Sequence, residues 1–162
     1  MIVVVMGVSG AGKTTVGSLL ADDLGWPFHE GDDFHPPANI ARMAGGVALT
    51  DRDRRPWLDA IAGLIRRLDE SDESAIIACS ALKASYRERL RVGARPAVRF
   101  VYLQVDFESL RTRLEEREFH FMDTDLLTSQ FADLEEPEDA VVVDATLEPE
   151  EIVRRIRAEL EI

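Results

Sequence analysis

A chain of 162 residues with 46% hydrophobic content and a formal net charge of −12 has the size and balance of one globular domain. The acidic surplus repels nucleic acid and anionic lipid, so neither is expected as a partner. No apolar stretch approaches the ~18 residues of a membrane span, and the short apolar start lacks the basic flank of a secretory signal. The lone cysteine, Cys79, forbids an internal disulfide, which fits a cytoplasmic setting, and its place at the end of an apolar run marks it as a buried, inert thiol.

The first expected element is a strand, Ile2–Met6, an unbroken and largely β-branched run. Gly7 to Thr14 then reads Gly-Val-Ser-Gly-Ala-Gly-Lys-Thr. Val16, Leu19, Leu20 and Leu24 recur at helical spacing, which predicts a helix over Lys13–Leu24. Strand, glycine-rich turn and helix form the context that the P-loop pattern requires. Glycines let backbone N–H groups turn inward around phosphate oxygens at a helix N-terminus. Lys13 is expected to reach the β- and γ-phosphates and Thr14 to hold Mg²⁺. The competing reading, a chance glycine-rich turn, has to explain why both flanks are correct.

A second strand is expected at Pro27–Glu30, followed by Gly31-Asp32-Asp33-Phe34-His35. Helices are expected at Pro37–Ala44 and Arg55–Asp69. The third strand, Ala75–Cys79, leads through Ser80 into a helix over Lys83–Arg91. A strand at Arg99–Gln104, helices at Phe107–Glu116 and Asp123–Leu134, a strand at Ala140–Asp144 and a helix at Pro149–Leu160 complete the chain. Thr146 is the N-cap candidate of that last helix, with Pro149 in its first turn. Strands separated by helices imply a parallel sheet covered on both faces. The expected fold is a single α/β domain over residues 1–162, a three-layer α/β/α sandwich around a five-stranded parallel sheet. Ligands gather at the carboxyl ends of such strands. The P-loop, Gly31 to His35, and Ser80 to Lys83 should therefore converge on one crevice.

The remaining residues narrow the chemistry. No Asn/Thr-Lys-x-Asp guanine motif occurs, and Asp22-Asp23-Leu24-Gly25 ends a helix, so a regulatory GTPase is not indicated. Asp144, ending Val141-Val142-Val143-Asp144, is a weak candidate for the Mg²⁺ aspartate. A small-molecule kinase needs a carboxylate at the attacking hydroxyl, cationic donors at the transferring phosphoryl, and a lid that excludes water. Asp32 supplies the carboxylate and a metal ligand, unless it is only a turn residue after Gly31. Asp33 serves metal-bound water or the turn. Arg113 and Arg117 share a helical face and can grip spread phosphate charge, or else belong to a surface helix of Glu–Arg pairs. His120, between Phe119 and Phe121, is a lid residue or a packing histidine. Only Lys13 and Lys83 are lysine; every other basic residue is arginine. A lysine kept against that background suggests a site needing a compact ammonium, the alternative being a solvated first-turn residue.

Together the strings Met6-Gly7-Val8-Ser9-Gly10, Glu30-Gly31-Asp32-Asp33-Phe34-His35-Pro36, Asn39-Ile40, Asp53-Arg54, Pro56-Trp57-Leu58, Cys79-Ser80-Ala81-Leu82-Lys83, Tyr86-Arg87, His120-Phe121-Met122 and Ser129-Gln130-Phe131 resemble the thermoresistant-type gluconate kinases, nearly end to end. The P-loop is generic, but the Cys-Ser-Ala-Leu-Lys and Asp-Arg-x-Pro-Trp-Leu strings are specific in combination. The resemblance implies a P-loop kinase related to shikimate kinase in the nucleoside-monophosphate-kinase-like group, often dimeric, that converts ATP and D-gluconate to ADP and 6-phosphogluconate. It implies Gly7, Ser9, Gly10, Ala11, Gly12, Lys13, Thr14 and Thr15 for ATP and Mg²⁺. Lys13, Asp32 and Arg117 are then catalytic, with Asp32 facing the acceptor hydroxyl. Arg54, Ser80, Lys83, His35 and Gln130 become gluconate contacts. Arg113, Arg117 and His120 become lid residues within a small lid of about residues 113–124, His120 also reaching the acceptor. Phe119 replaces a glycine common in the family lid, and Asp123 stands where proline is frequent; losing glycine restricts the lid backbone.

Two alternatives remain at this stage. One is a kinase for another small hydroxy acid, as shikimate kinase is, or for a nucleoside monophosphate. The other is a nucleotide-binding sensor with no transfer activity, which would not need Asp32, Arg54 and Lys83 at the strand ends.

Overall fold

The computed structural model describes residues 1–91, 93, 98–116 and 124–162. Five strands form one parallel sheet: β1 (Ile2–Met6), β2 (Phe28–Glu30), β3 (Ala75–Ala78), β4 (Val98–Gln104) and β5 (Val141–Asp144). Their order across the sheet is β2-β3-β1-β4-β5, which puts β1 and its following glycine loop at the centre. All five residues of β1 are buried, because both of its faces are covered.

The alternation along β1 divides the core. Val3 and Val5 face one layer, where α1 (Lys13–Leu24) and α7 (Pro149–Leu160) present Val16, Leu20, Ile152 and Ile156. Ile2, Val4 and Met6 face the other, where α3 (Asp51–Glu70) presents Trp57, Leu58, Ile61 and Ile65, and α4 (Ala84–Arg91) adds Leu90. The three layers expected from the sequence are these. α5 (Phe107–Glu116) and α6 (Thr124–Asp133) contribute Leu110 and Leu127 to the first layer. α2 (Pro37–Ala44) buries only Asn39 and packs at the rim.

Most expected bounds shift by one residue, as element ends do. α3 is the larger correction. It begins at Asp51 rather than Arg55, because Thr50 and Asp53 form a reciprocal capping box: Asp53 N–H donates to Thr50 Oγ1 at 3.1 Å and Thr50 N–H to Asp53 Oδ2 at 2.9 Å. Arg54 thereby sits inside the helix. Pro56 lies inside it too, although the sequence suggested that Pro56 belonged near its start. The N-cap of α7 is Glu148, not Thr146; Thr146 instead donates from its N–H and hydroxyl to Asp144 at 2.8 and 2.6 Å. A 3₁₀ turn, Gly31–Phe34, follows β2 and has no counterpart among the expected elements.

Candidate active site

The site is assembled at the carboxyl ends of β1, β2 and β3. After β1 the chain turns at Gly12, whose φ of 99° is open to glycine and costly for other residues. Nothing lies within 4 Å of where a Cβ would project from Gly12, so the backbone angle and not crowding is what favours glycine there. Lys13 Nζ donates to the Val8 carbonyl at 2.9 Å, curling over the loop. Burial holds the Lys13 ammonium below its ordinary pKa, opposed by the negative charge of Asp32. Thr14 Oγ1 donates to Glu30 Oε2 at 2.5 Å and so ties the start of α1 to the end of β2.

Asp32 is placed by a close backbone approach. A Cβ on Gly31 would lie 2.2 Å from the Ala78 carbonyl oxygen, so only glycine lets β2 end this near β3. The Gly31 carbonyl accepts from Trp57 Nε1 at 2.8 Å, which fixes the turn against α3. Glu30 accepts from Asp32 N–H at 3.3 Å, capping the same turn. At its far end His35 stacks on Trp57, ring centroids 4.3 Å apart and planes 12° apart. Burial, and then the nearby Arg54 charge, push the His35 pKa down to about 4, so this imidazole is neutral at physiological pH.

Ser9, Lys13, Asp32, His35, Arg54 and Ser80 line one small cavity of about 60 Å³. The three loops expected to converge therefore do so; Gly7 N–H also donates to the Ser80 carbonyl at 3.2 Å. Gln130 lines the same cavity from α6. Its Oε1 accepts from Ser9 N–H at 2.7 Å and its Nε2 donates to Ser9 Oγ at 2.9 Å. The side chain expected as an acceptor contact is also a brace on the P-loop.

Arg54 enters the cavity with its charge already balanced. It is only 8% exposed and donates to Asp133 Oδ2 and Tyr86 Oη, each at 2.9 Å. Lys83 lies outside the lining of that cavity. Its ammonium pairs with Asp51 at 2.9 Å and approaches Asp133 at 3.9 Å. Asp51 also accepts from the Tyr86 hydroxyl. Both cations stand over the Tyr86 ring, 5.5 and 5.8 Å from its centroid. Sequence reasoning singled out Arg54 and Lys83 but missed Asp51, Tyr86 and Asp133, which complete the cluster.

A second cavity, of about 370 Å³, opens on the other side of the loop. Ala11, Gly12, Thr15, Arg113, Thr146 and Pro149 are among its lining residues. Arg113 donates to the Ala145 carbonyl at 2.5 Å and to the Ala11 carbonyl at 3.5 Å, joining α5 to the P-loop and to the segment after β5. Asp144 is engaged with Thr146, and burial pushes the Cys79 thiol up to about 12. Arg117, Phe119, His120 and Asp123 lie outside the described residues, so the lid expectation is represented only by its two ends, in α5 and α6. Among the described residues no three His, Cys, Asp or Glu side chains converge as a metal cluster, and no helix is long and apolar enough to cross a membrane.

Comparison with known proteins places this geometry. The family model described as shikimate kinase matches residues 9–161. A gluconokinase of Gluconobacter oxydans is 47% identical over 163 residues, covering 96% of this chain and 91% of that protein. The thermoresistant gluconokinase of Escherichia coli is 44% identical over 147 residues, covering 88% of this chain and 83% of that one. The crystal structure of a gluconokinase from Sinorhizobium meliloti superimposes with a TM-score of 0.91 at 44% identity, over 98% of this chain and 90% of that chain.

Proposed function

The chain belongs to the gluconokinases, within the family described as shikimate kinase, and from that premise we propose that it transfers the γ-phosphoryl group of ATP to D-gluconate, giving 6-phospho-D-gluconate and ADP. The observation that carries the reading is that one P-loop lines two cavities of different chemistry. The larger one, against the N-terminus of α1, suits the nucleotide. The smaller one, with a carboxylate, an imidazole and two cations, suits a polar acceptor.

In this reading the hydroxyl of the acceptor meets Asp32, which orients it and takes its proton as the new P–O bond forms. Lys13 leaves the Val8 carbonyl to meet the charge that builds on the transferring oxygens. Its half-buried position strengthens that interaction, since water screens it less than in bulk solvent. Arg113 borders the nucleotide cavity, where it would meet the phosphates, with Arg117 and His120 as the lid residues that the family resemblance implies. The acceptor cavity is small, about 60 Å³, and gluconate requires it to widen. α2, with Asn39 as its one buried residue, is the wall with the fewest packing constraints.

The donor set suits Mg²⁺. This ion is held by one or two protein oxygens, with phosphate oxygens and water completing its shell. Thr14 gives its hydroxyl proton to Glu30, which leaves an oxygen lone pair to face a cation, and Asp32 offers a second hard oxygen. When bound, Mg²⁺ would neutralise charge on the β- and γ-phosphate oxygens. A single cysteine, too few for an internal disulfide, fits a cytoplasmic setting.

An ADP-release assay over gluconate, other aldonic acids, shikimate, neutral polyols and nucleoside monophosphates tests the reading. Gluconate should give the highest kcat/KM, and Asp32→Asn should lower kcat by about 10²–10⁴ while ATP still binds. Preference for shikimate would move the acceptor assignment to another hydroxy acid. ATP binding with no turnover across the panel would make the protein a nucleotide sensor.

A further inference from the structure

One polar side chain beside the acceptor cavity has its hydrogens fixed by geometry. Asn39, four residues after His35 at the start of α2, is 4% exposed. Its Nδ2 lies 2.8 Å from the Asp53 carbonyl oxygen. A carbonyl only accepts, so the atom facing it has to be the amide nitrogen. The same Nδ2 lies 3.2 Å from His35 Nδ1. An amide nitrogen has two hydrogens and no lone pair to offer, so the second hydrogen points at Nδ1, and Nδ1 accepts it. A neutral imidazole that accepts at Nδ1 carries its proton on Nε2.

The rest of the ring's surroundings limit which groups that proton can meet. Trp57 covers one face of the imidazole. His35 Nε2 makes no hydrogen bond to a described residue, yet it is not among the buried atoms cut off from any partner. His35 borders the acceptor cavity together with Lys13, Asp32 and Arg54, the charged groups around it. We propose that Asn39 locks His35 as its Nε2–H tautomer, so that the ring offers the acceptor cavity a neutral donor for a hydroxyl oxygen of a polyhydroxy acid.

This assignment rests on the acceptor reading of the cavity and deepens it. It divides the labour between two neighbouring side chains. Arg54 carries charge and answers to a carboxylate. His35 carries none and answers to a hydroxyl, where an imidazolium would compete for the carboxylate instead. Asn39 is a positioning residue; it touches no acceptor atom and acts only by choosing which nitrogen of His35 is protonated.

The tautomer is read directly on the free wild-type protein by long-range ¹H–¹⁵N NMR of ¹⁵N-labelled histidine, the His35 signals being assigned by their loss in His35→Gln. Nδ1 should appear as an unprotonated, accepting nitrogen and Nε2 as protonated; the reverse pattern would overturn the proposal. Asn39→Leu should turn the single tautomer into a mixture, and a spectrum unchanged by it would remove Asn39 from the role. Kinetics test the donor separately. Glutamine places an N–H near the Nε2 position and asparagine places one near Nδ1. His35→Gln should therefore stay within a few-fold of the wild-type KM for gluconate, while His35→Asn should raise it about tenfold, the scale of one lost hydrogen bond, with kcat less affected. Equal KM values in both variants would show that the ring does not donate to the acceptor. If the wild type turned over no gluconate, the functional reading would fall, and the free-protein spectrum would still decide between the two tautomers.

Discussion

Gln130 grips Ser9 from 121 positions away in the sequence, accepting from its N–H and donating to its hydroxyl. The Ser9 N–H can only donate, so the amide of Gln130 is held in one orientation. α6 is thereby fastened to the third residue of the P-loop, at the point where the loop borders the smaller cavity. Farther along, Asp133 of the same helix holds Arg54, and the Glu135 side chain accepts from Ala84 N–H at 2.9 Å. α6 and the residues just after it thus register the P-loop against the other walls of that cavity.

That brace predicts different outcomes for two substitutions at Gln130. Gln130→Ala removes both bonds and should lower kcat/KM without preference for either substrate. Gln130→Glu keeps an acceptor for Ser9 N–H but brings a negative charge to a loop that binds phosphate. It should weaken ATP binding about tenfold more than the alanine variant does, a difference of about 1.4 kcal/mol. Calorimetric titration with ATP measures it. Equal affinities for the two variants would mean that the Gln130 amide is remote from the phosphates.

Lys13 should separate activity from stability. Burial lowers its pKa, so the charged form is less favourable in the folded protein than in water. Removing the charge with Lys13→Met should therefore leave the thermal midpoint unchanged or raise it. The same change should cut kcat by about 10²–10³, the cost of losing a donor that meets transition-state charge. A midpoint that falls by many degrees would show that the Val8 contact matters more to the fold than the buried charge costs it.

His35 gives the stability a pH dependence with a definite sign. Its pKa is pushed down to about 4 in the folded protein, against an ordinary value of 6.5. Between those values the unfolded chain binds a proton that the folded protein refuses. Stability linked to His35 is therefore full above about pH 6.5 and is lost as the pH falls towards 4, by about 3 kcal/mol at most. Thermal midpoints of the wild type and His35→Gln, measured from pH 7.5 to 4, isolate this from the other titrating groups. The gap between the two curves should narrow or reverse in favour of His35→Gln as the pH falls. Parallel curves would place the imidazole in an environment like water.

The reach of the sequence can be judged from these same residues. The sheet was legible because β1 and β3 are continuous apolar runs, a pattern that only strands covered on both faces require. Lys13, Asp32, Arg54 and Ser80 were legible because each ends or follows such a run or belongs to a specific string. The start of α3 was not, since its capping box uses aspartate where glutamate or glutamine is the usual signal, and Pro56 looked like a first-turn residue. Nor were the partners of the site residues. Glu30 on Thr14, Asn39 on His35, and Asp133 and Tyr86 on Arg54 are pairings made by tertiary packing, with no spacing rule to announce most of them. Nor was the demand for glycine at Gly31 legible, because its backbone closeness to Ala78 depends on where two strands end in space.

The same partners revise how the acceptor's carboxylate is recognised. Composition singled out Lys83, and the family resemblance set it beside Arg54 as an acceptor contact. In the structure the four charges of the cluster cancel: Arg54 and Lys83 against Asp51 and Asp133. Lys83 is spent on Asp51 outside the cavity lining, while Arg54 both pairs with Asp133 and borders the cavity. A guanidinium has five N–H donors, and the bonds to Asp133 and Tyr86 leave others for a carboxylate. Arg54→Met should therefore raise KM for gluconate by about 10–150-fold, the range for a hydrogen bond to a charged group, and should lower thermal stability by taking from Asp133 its partner at 2.9 Å and leaving only Lys83 at 3.9 Å. Lys83→Met should change KM by less than about threefold, because its effect reaches the acceptor only through Asp51, Tyr86 and the longer contact with Asp133. Discrimination between gluconate and sorbitol, measured as a ratio of kcat/KM values, should collapse in Arg54→Met and survive in Lys83→Met. If the collapse came with Lys83→Met instead, the ammonium must leave Asp51 when the acceptor binds, and the carboxylate would sit on the α4 side of the site.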